Sequence, residues 1–151
     1  MLELDTIAII DAKTDRVRWA LSGQWLRQHK PTLLANGRIL LLDNQGHRGR
    51  SKVIEIDPFT QEIVWSYQGD AQNQFSTRTG GSVQRLPNGN TLVTEADSGR
   101  AFEMTAQDRM VWMYHNGARA GTRGEFVANL CEVVRLPEDF FDWSSTPAAA
   151  G

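Results

Sequence analysis

The feature that most constrains this chain is that it repeats itself. Three segments superimpose. The first is Ile7-Ala8-Ile9-Ile10-Asp11, a short turn, then Arg16-Val17-Arg18-Trp19. The second is Lys52-Val53-Ile54-Glu55-Ile56-Asp57, a turn, then Glu62-Ile63-Val64-Trp65-Ser66-Tyr67. The third is Arg100-Ala101-Phe102-Glu103-Met104-Thr105, a turn, then Arg109-Met110-Val111-Trp112-Met113-Tyr114. Their tryptophans stand 46 and then 47 residues apart. Alternation of apolar and polar residues, with β-branched and aromatic content, makes each segment read as two β-strands around a polar turn. Asp11-Ala12-Lys13-Thr14 and Asp57-Pro58 suit that turn, because Asp bonds nearby backbone and Pro presets φ. A second repeat lies between the first ones: Pro31 to Asp43 matches Ser82 to Thr94, each a hairpin centred on Asn-Gly. The pair predicts a type I′ turn, with positive φ at both central residues. Cys131 to Glu138 reads as the first strand of a third copy.

Two alternating hairpins make a four-stranded unit of about 50 residues with one Trp, the signature of a β-propeller blade. The predicted fold is all-β: a partial β-propeller of about three four-stranded antiparallel blades over residues 1–143. It divides into a half blade (5–20), blades at 29–67 and 80–114, and the start of another at 127–136. Gln68 to Gly81 and Asn116 to Gly124 are polar, Gly-bearing connections, and 144–151 reads as a disordered tail. Closed propellers have roughly four to eight blades, so this arc falls short of a ring. It is expected either to belong with N-terminal blades of a longer protein or to self-associate, because an open arc leaves a strand edge exposed.

Composition removes several classes. Sixteen Lys plus Arg against eighteen Asp plus Glu leave a net charge of -2, which excludes nucleic-acid binding by bulk electrostatics. No apolar run approaches the roughly 20 residues of a membrane span; Ile39 to Leu42 is stopped by Asp43. The start, Met1-Leu2-Glu3-Leu4-Asp5, carries no signal-peptide pattern, so this chain alone leaves its location unknown. A single cysteine, Cys131, can form neither an internal disulfide nor a cysteine zinc cluster; in an alternating strand it is expected to be a small buried residue. Asp43, Glu95 and Asp97 fall at strand ends without the dense spacing of a calcium loop, so no metal site is expected. No P-loop, Gly-x-Ser-x-Gly or dinucleotide motif is present, and no cofactor is implied.

Gln28-His29-Lys30-Pro31, Asn36-Gly37-Arg38-Ile39-Leu40-Leu41-Leu42-Asp43-Asn44 and Arg50-Ser51-Lys52-Val53-Ile54-Glu55-Ile56-Asp57-Pro58 together resemble the arylsulfotransferase-like β-propeller family. Gln84 to Thr94, Gly99 to Thr105 and Val111 to Tyr114 extend the resemblance, and Val134 to Phe140 is similar to the family's closing segment. The resemblance implies a six-bladed propeller in a longer chain, typically from an exported, periplasmic bacterial protein. It also implies transfer of a sulfuryl group from an aryl sulfate to a phenol through a histidine in the central channel. Further channel histidines and an arginine would bind the sulfate oxygens.

That chemistry needs a neutral imidazole as nucleophile and cationic or hydrogen-bonding groups around the sulfuryl oxygens. His29 opens an innermost strand and matches the family's Gln-His-Asp type motif, with Lys30 in place of the Asp. It is the candidate catalytic residue. His47, Arg48, Arg50 and Arg78 are the candidate sulfate-binding residues, the first three in a Gly-flanked loop and Arg78 where the chain enters the next inner strand. The next blade has Gly80-Gly81 where His29 is expected to correspond, so a ring of histidines is not repeated here. His115 follows an outermost strand and reads as structural. Trp19, Trp65 and Trp112 read as aromatics that dock one blade on the next. The alternative reading is a non-catalytic propeller module that binds a ligand or protein partner, since this fold hosts many functions.

Overall fold

The computed structural model describes residues 2–47 and 50–141. Two four-stranded antiparallel sheets form its body. The first is β3 (His29–Leu33), β4 (Ile39–His47), β5 (Arg50–Ile56) and β6 (Ile63–Tyr67), in that order. The second is β7 (Ser82–Arg85), β8 (Thr91–Glu95), β9 (Arg100–Met104) and β10 (Met110–His115). Ahead of them stands a hairpin of β1 (Thr6–Asp11) and β2 (Arg16–Ser22), and after them come two short strands, β11 (Arg119–Ala120) and β12 (Phe126–Val127). Because β7 packs on β3 and β4, the first strands of successive sheets lie side by side. The result is an all-β arc of propeller blades. The tail at 144–151, like Trp143, lies outside the described residues.

The Asn-Gly hairpins are real, but their turn type differs from the expected I′. Gly37 and Gly89 have φ of 82° and 84°, whereas Asn36 and Asn88 do not enter the positive-φ region. In both loops the glycine N–H donates to the leucine three residues earlier, Leu34 or Leu86. That is a type I turn followed by a left-handed glycine. The reason is loop length: Leu34 N–H bonds the Arg38 carbonyl and Leu86 N–H the Asn90 carbonyl, which leaves three loop residues rather than two, and a three-residue hairpin loop takes this form. The asparagines act instead as side-chain acceptors, from Arg38 N–H and Asn90 N–H.

Between the third and fourth strands of each unit the chain turns on Asp11, Asp57 or Thr105. The Asp57 carboxylate accepts the N–H groups of Phe59 and Thr60, and Asp11 accepts those of Lys13 and Thr14. The Thr60 and Phe59 donors hold the Asp57 carboxyl below its usual range. Each turn ends on a left-handed residue: Asp15, Gln61 or Asp108.

Two apolar clusters join the blades. Ile7 of the hairpin packs with Trp25, Ile39, Leu41, Ile54 and Ile56, flanked by Trp19 and Leu21. Leu40, Leu42, Val53 and Tyr67 of the first blade meet Val83, Val93, Phe102 and Met104 of the second, with Phe75 from the connection. Phe75 stacks on Tyr67 and meets Phe102 edge-on.

A charged clamp repeats beside the second cluster. Arg85, from the second blade, bonds Glu55 of the first at 2.7 Å and lies over the Trp65 ring. One unit later, Arg135 bonds Glu103 at 3.0 Å and lies over Trp112. In the hairpin β1–β2, Ile9 pairs with Trp19 as Glu55 pairs with Trp65. Leu33 ends the inner strand where Arg85 does, so apolar residues take both charged places there.

Two expectations are corrected. Trp112 is 40% exposed although Trp65 is partly buried at the matching place. Tyr67, two residues after Trp65, is covered by Phe102, and among the described residues no further sheet covers Trp112. Cys131 is exposed, not buried. Residues 128–137 enter no ladder. They run beside the second blade on scattered contacts: Leu130 N–H to the Ala96 carbonyl, Val133 N–H to Thr94 Oγ1 of β8, and Arg135 N–H and C=O to the Gln84 amide of β7. Nothing there closes over the thiol.

Candidate functional site

His29 sits half-buried at the start of β3, opposite Leu42. Its Nδ1 lies 2.8 Å from Asn44 Oδ1 and 3.1 Å from the Arg27 carbonyl. Its Nε2 accepts the Gly80 N–H at 3.3 Å. Both Nδ1 neighbours are acceptors, so the arrangement is satisfied by a neutral ring protonated at Nδ1, with the lone pair on Nε2.

A β-bulge makes that placement. Two residues, Lys30 and Pro31, separate His29 from Thr32, while one residue separates their partners Leu42 and Leu40. Lys30 has φ of 52°, an unfavourable conformation for a residue with a Cβ. Bulges re-aim a side chain in this way. The extra residue also changes the comparison between blades. In the ladder His29 stands where Ser82 stands opposite Thr94, rather than where Gly80-Gly81 lie. Lys30 itself reaches across to Glu132, 2.7 Å away.

Behind the imidazole is a closed polar network. Asn44 is fully buried, and its Nδ2 donates to the Thr77 and Gly80 carbonyls. Ser51 Oγ donates to the Thr77 carbonyl and accepts Thr77 N–H. The network ties β3, the end of β4 and the connection before β7 together. Sequence reasoning singled out neither Asn44 nor Thr77; the only local trace was a polar residue directly after the apolar run Ile39 to Leu42.

The other candidates are not gathered around the imidazole in one cleft. Arg50 is exposed and lines a cleft of about 510 Å³ with Gln68, Asp70, Gln74 and Glu95. His29 is not among its walls. His47 pairs through its backbone with Arg50 at the end of the β4–β5 hairpin. Arg48 lies outside the described residues. Arg78 is exposed; its N–H donates to Asp97 and its carbonyl accepts from Gln45. Gln45 thereby holds the Arg78 loop to the same end of the first blade as His29.

The strand-end carboxylates have structural partners. Asp43 accepts Leu26 N–H and Gly46 N–H and faces Lys52 Nζ at 3.6 Å. Glu95 accepts Ser76 N–H and Arg100 Nε. Each carboxylate thus ties a blade connection to its own sheet. Among the described residues no group of three or more His, Cys, Asp and Glu side chains is placed to hold a metal ion, and no helix is long and apolar enough to cross a membrane.

Fold and site together define a propeller arc with an imidazole held on an inner strand. The family model described as Arylsulfotransferase (ASST) matches residues 1–117, and the chain belongs to that family. No curated protein matches it. Among solved structures, it is similar to a protein of unknown function from Bacteroides caccae. The two are 13% identical with a TM-score of 0.50, over 74% of this chain. The chain spans 39% of that protein's length. At that identity the likeness concerns the fold.

Proposed function

We propose that this chain carries the histidine of an aryl-sulfate sulfotransferase, with His29 taking the sulfuryl group on Nε2. The observation that carries the reading is the 2.8 Å contact between His29 Nδ1 and buried Asn44 Oδ1. It supplies the orienting acceptor that a histidine nucleophile needs, and it does so from β4 where Lys30 has replaced a neighbouring carboxylate. The Nε2 lone pair attacks the sulfur of the aryl sulfate. The bond from sulfur to the aryl oxygen breaks, and the phenolate leaves with that electron pair. Nδ1 keeps its proton, so the sulfated ring is cationic, and Asn44 Oδ1 and the Arg27 carbonyl stabilise it. An acceptor phenolate then attacks sulfur, the nitrogen–sulfur bond breaks, and the neutral ring returns. Arg78, whose loop Gln45 holds at the same end of the first blade, is proposed to hold the sulfuryl oxygens; Arg50, facing a separate cleft, would have to swing out of it to join, with His47 and Arg48 of the same hairpin. An exported, periplasmic location belongs to the same reading and is checked by cell fractionation.

One observation favours a second reading, a non-catalytic binding module: Gly80 N–H already occupies Nε2. At 3.3 Å that bond is long, and a substrate must displace it. The deciding experiment supplies 4-nitrophenyl sulfate and phenol to the folded chain. Nitrophenolate release is followed, and the peptide containing His29 is weighed for one added SO3. The proposal expects release and an adduct on His29, both lost in His29→Ala. Turnover that survives His29→Ala removes His29 from the mechanism. A folded wild-type chain with neither turnover nor adduct leaves the binding module.

A further inference from the structure

Three Asn-Gly pairs occur in the chain: Asn36-Gly37, Asn88-Gly89 and Asn116-Gly117. The pair is chemically labile, because a glycine nitrogen with no Cβ beside it can reach the side-chain amide carbon of the asparagine before it. The first two pairs turn hairpins of the full blades; the third lies where the chain leaves β10 for β11. All three asparagines share one local geometry. Each Oδ1 accepts the N–H two residues on, from Arg38, Asn90 or Ala118, at 3.0 Å in every case. That bond draws charge off the amide carbon and folds the side chain back over the following peptide. Each Nδ2 has an acceptor too, Glu55, Glu103 or the Ala128 carbonyl, so the leaving group does not separate the three.

They differ in the nitrogen that would attack. Gly37 N–H donates to the Leu34 carbonyl and Gly89 N–H to the Leu86 carbonyl, each at 2.9 Å. Gly117 N–H has no partner among the described residues, and nothing stands where a Cβ on Gly117 would go. Exposure ranks the pairs the other way: Asn36 and Asn88 are open to solvent, whereas Asn116 is half-buried. The two rankings are decided by the order of events. Ring closure takes place within the chain and water enters only afterwards, so the free nitrogen outweighs the wetter side chain.

We propose that Asn116 is a site of spontaneous deamidation in the folded protein, converting ahead of Asn36 and Asn88. The Gly117 nitrogen gives its proton to hydroxide and attacks Asn116 Cγ. The bond from Cγ to Nδ2 breaks, and Nδ2 leaves as ammonia with a proton from water. The cyclic succinimide that remains takes up water at one carbonyl or the other and opens to aspartate or isoaspartate. The chain gains a negative charge and loses an N–H donor. That donor sits at a joint. Asn116 N–H donates to the Gly99 carbonyl at 2.7 Å and its Nδ2 to the Ala128 carbonyl at 3.1 Å. The residue therefore ties the segment after β12 to the turn between β8 and β9. A carboxylate in its place sets two acceptors against each other at Ala128, and leaves the Ala128 carbonyl without its donor. The Ala128 N–H, bonded to the Ala118 carbonyl at 3.0 Å, opens with it.

The test is peptide mapping by mass spectrometry of the full chain during incubation in mildly alkaline buffer, once folded and once in urea. In the folded chain Asn116 is expected to convert about two- to tenfold faster than Asn36 and Asn88, the factor that a net hydrogen bond of about 0.5–1.5 kcal/mol imposes on the other two glycines. In urea the three are expected to convert at similar rates. Gly117→Ala, for which there is room, is expected to slow conversion at Asn116 and leave the other two sites as they were. Hydrogen exchange of Asn116→Asp is expected to show Ala128 N–H losing protection while Leu86 N–H keeps it. Equal rates in the folded chain, or Asn36 or Asn88 converting first, overturn the proposal. So does a ranking that persists in urea, since the fold would then not be its cause, or a Gly117→Ala chain that converts as fast as wild type. Unchanged protection at Ala128 overturns the opening of the joint.

Discussion

At the scale of single residues, Asn44 contributes most. It satisfies two backbone carbonyls and the imidazole from a position with no access to water. Asn44→Ala strands those groups, and leaving a buried polar group unpaired costs about 1–3 kcal/mol. Urea denaturation is expected to show a loss of at least that size, and hydrogen exchange to show Gly80 N–H losing protection. Glu103 makes a prediction about pH. The Asn90 side chain, then Asn88 and Arg135, hold its carboxyl below the usual glutamate range. A lowered folded value contributes stability that is complete above the ordinary glutamate value and is lost as pH falls through the lowered one. Glu103→Gln is therefore expected to flatten the acid limb of the stability curve and leave neutral pH as the place where the two proteins differ most. A variant that loses stability with acid as steeply as wild type would show that other carboxylates control that limb.

At the scale of elements, the glycines separate two costs. Gly37 has φ of 82° with open space where a Cβ would go; Gly81 has φ of 83° with the Thr94 carbonyl 2.5 Å from that point. Gly37→Ala should lose about 1–2 kcal/mol, the price of a left-handed residue with a Cβ. Gly81→Ala should lose clearly more, because backbone must also move; thermal melts of the two variants compare them directly. These elements also show what could be read beforehand. Strand alternation is local, so all four strands of each full blade and the Trp period were legible. Turn type depends on strand register, which sets Leu34 against Arg38 and Leu86 against Asn90 and so leaves three loop residues where the Asn-Gly pair alone suggests two. The bulge at Lys30 was not legible, since only the ladder with β4 reveals the extra residue. His29 could be singled out by its motif, whereas its partner Asn44 arrives from 15 residues away, and nothing local signals that meeting. Cys131 was misjudged because alternation alone does not say whether a partner strand covers a face.

At the scale of the whole molecule, the blades are held by side chains that belong to both. Phe102 is fully buried and touches Tyr67 and Phe75 across the junction. Phe102→Ala is expected to cost about 3–5 kcal/mol, and to do so by loosening one blade from the other. Hydrogen exchange would then show β6 and β7 losing protection together. Loss confined to β9 would mean that the blades stand independently.

The hinge between the two full blades carries the Glu55–Arg85 ion pair beside its apolar cluster, while the β1–β2 hairpin docks on its neighbour through an apolar cluster, and dissolved ions are able to tell the two apart. Sodium chloride weakens charged contacts, least where they are sheltered; Glu55 is almost wholly sheltered and Arg85 mostly so. Sulfate ions, excluded from protein surface, tighten apolar contact. In sodium sulfate the β1–β2 hairpin should cling to its neighbour more firmly with no ion pair to lose, while the hinge between the two full blades gains on its apolar cluster and loses on its ion pair. In sodium chloride of equal ionic strength that advantage should shrink. An ordinary salt series thus becomes a way to choose which part of the arc opens first.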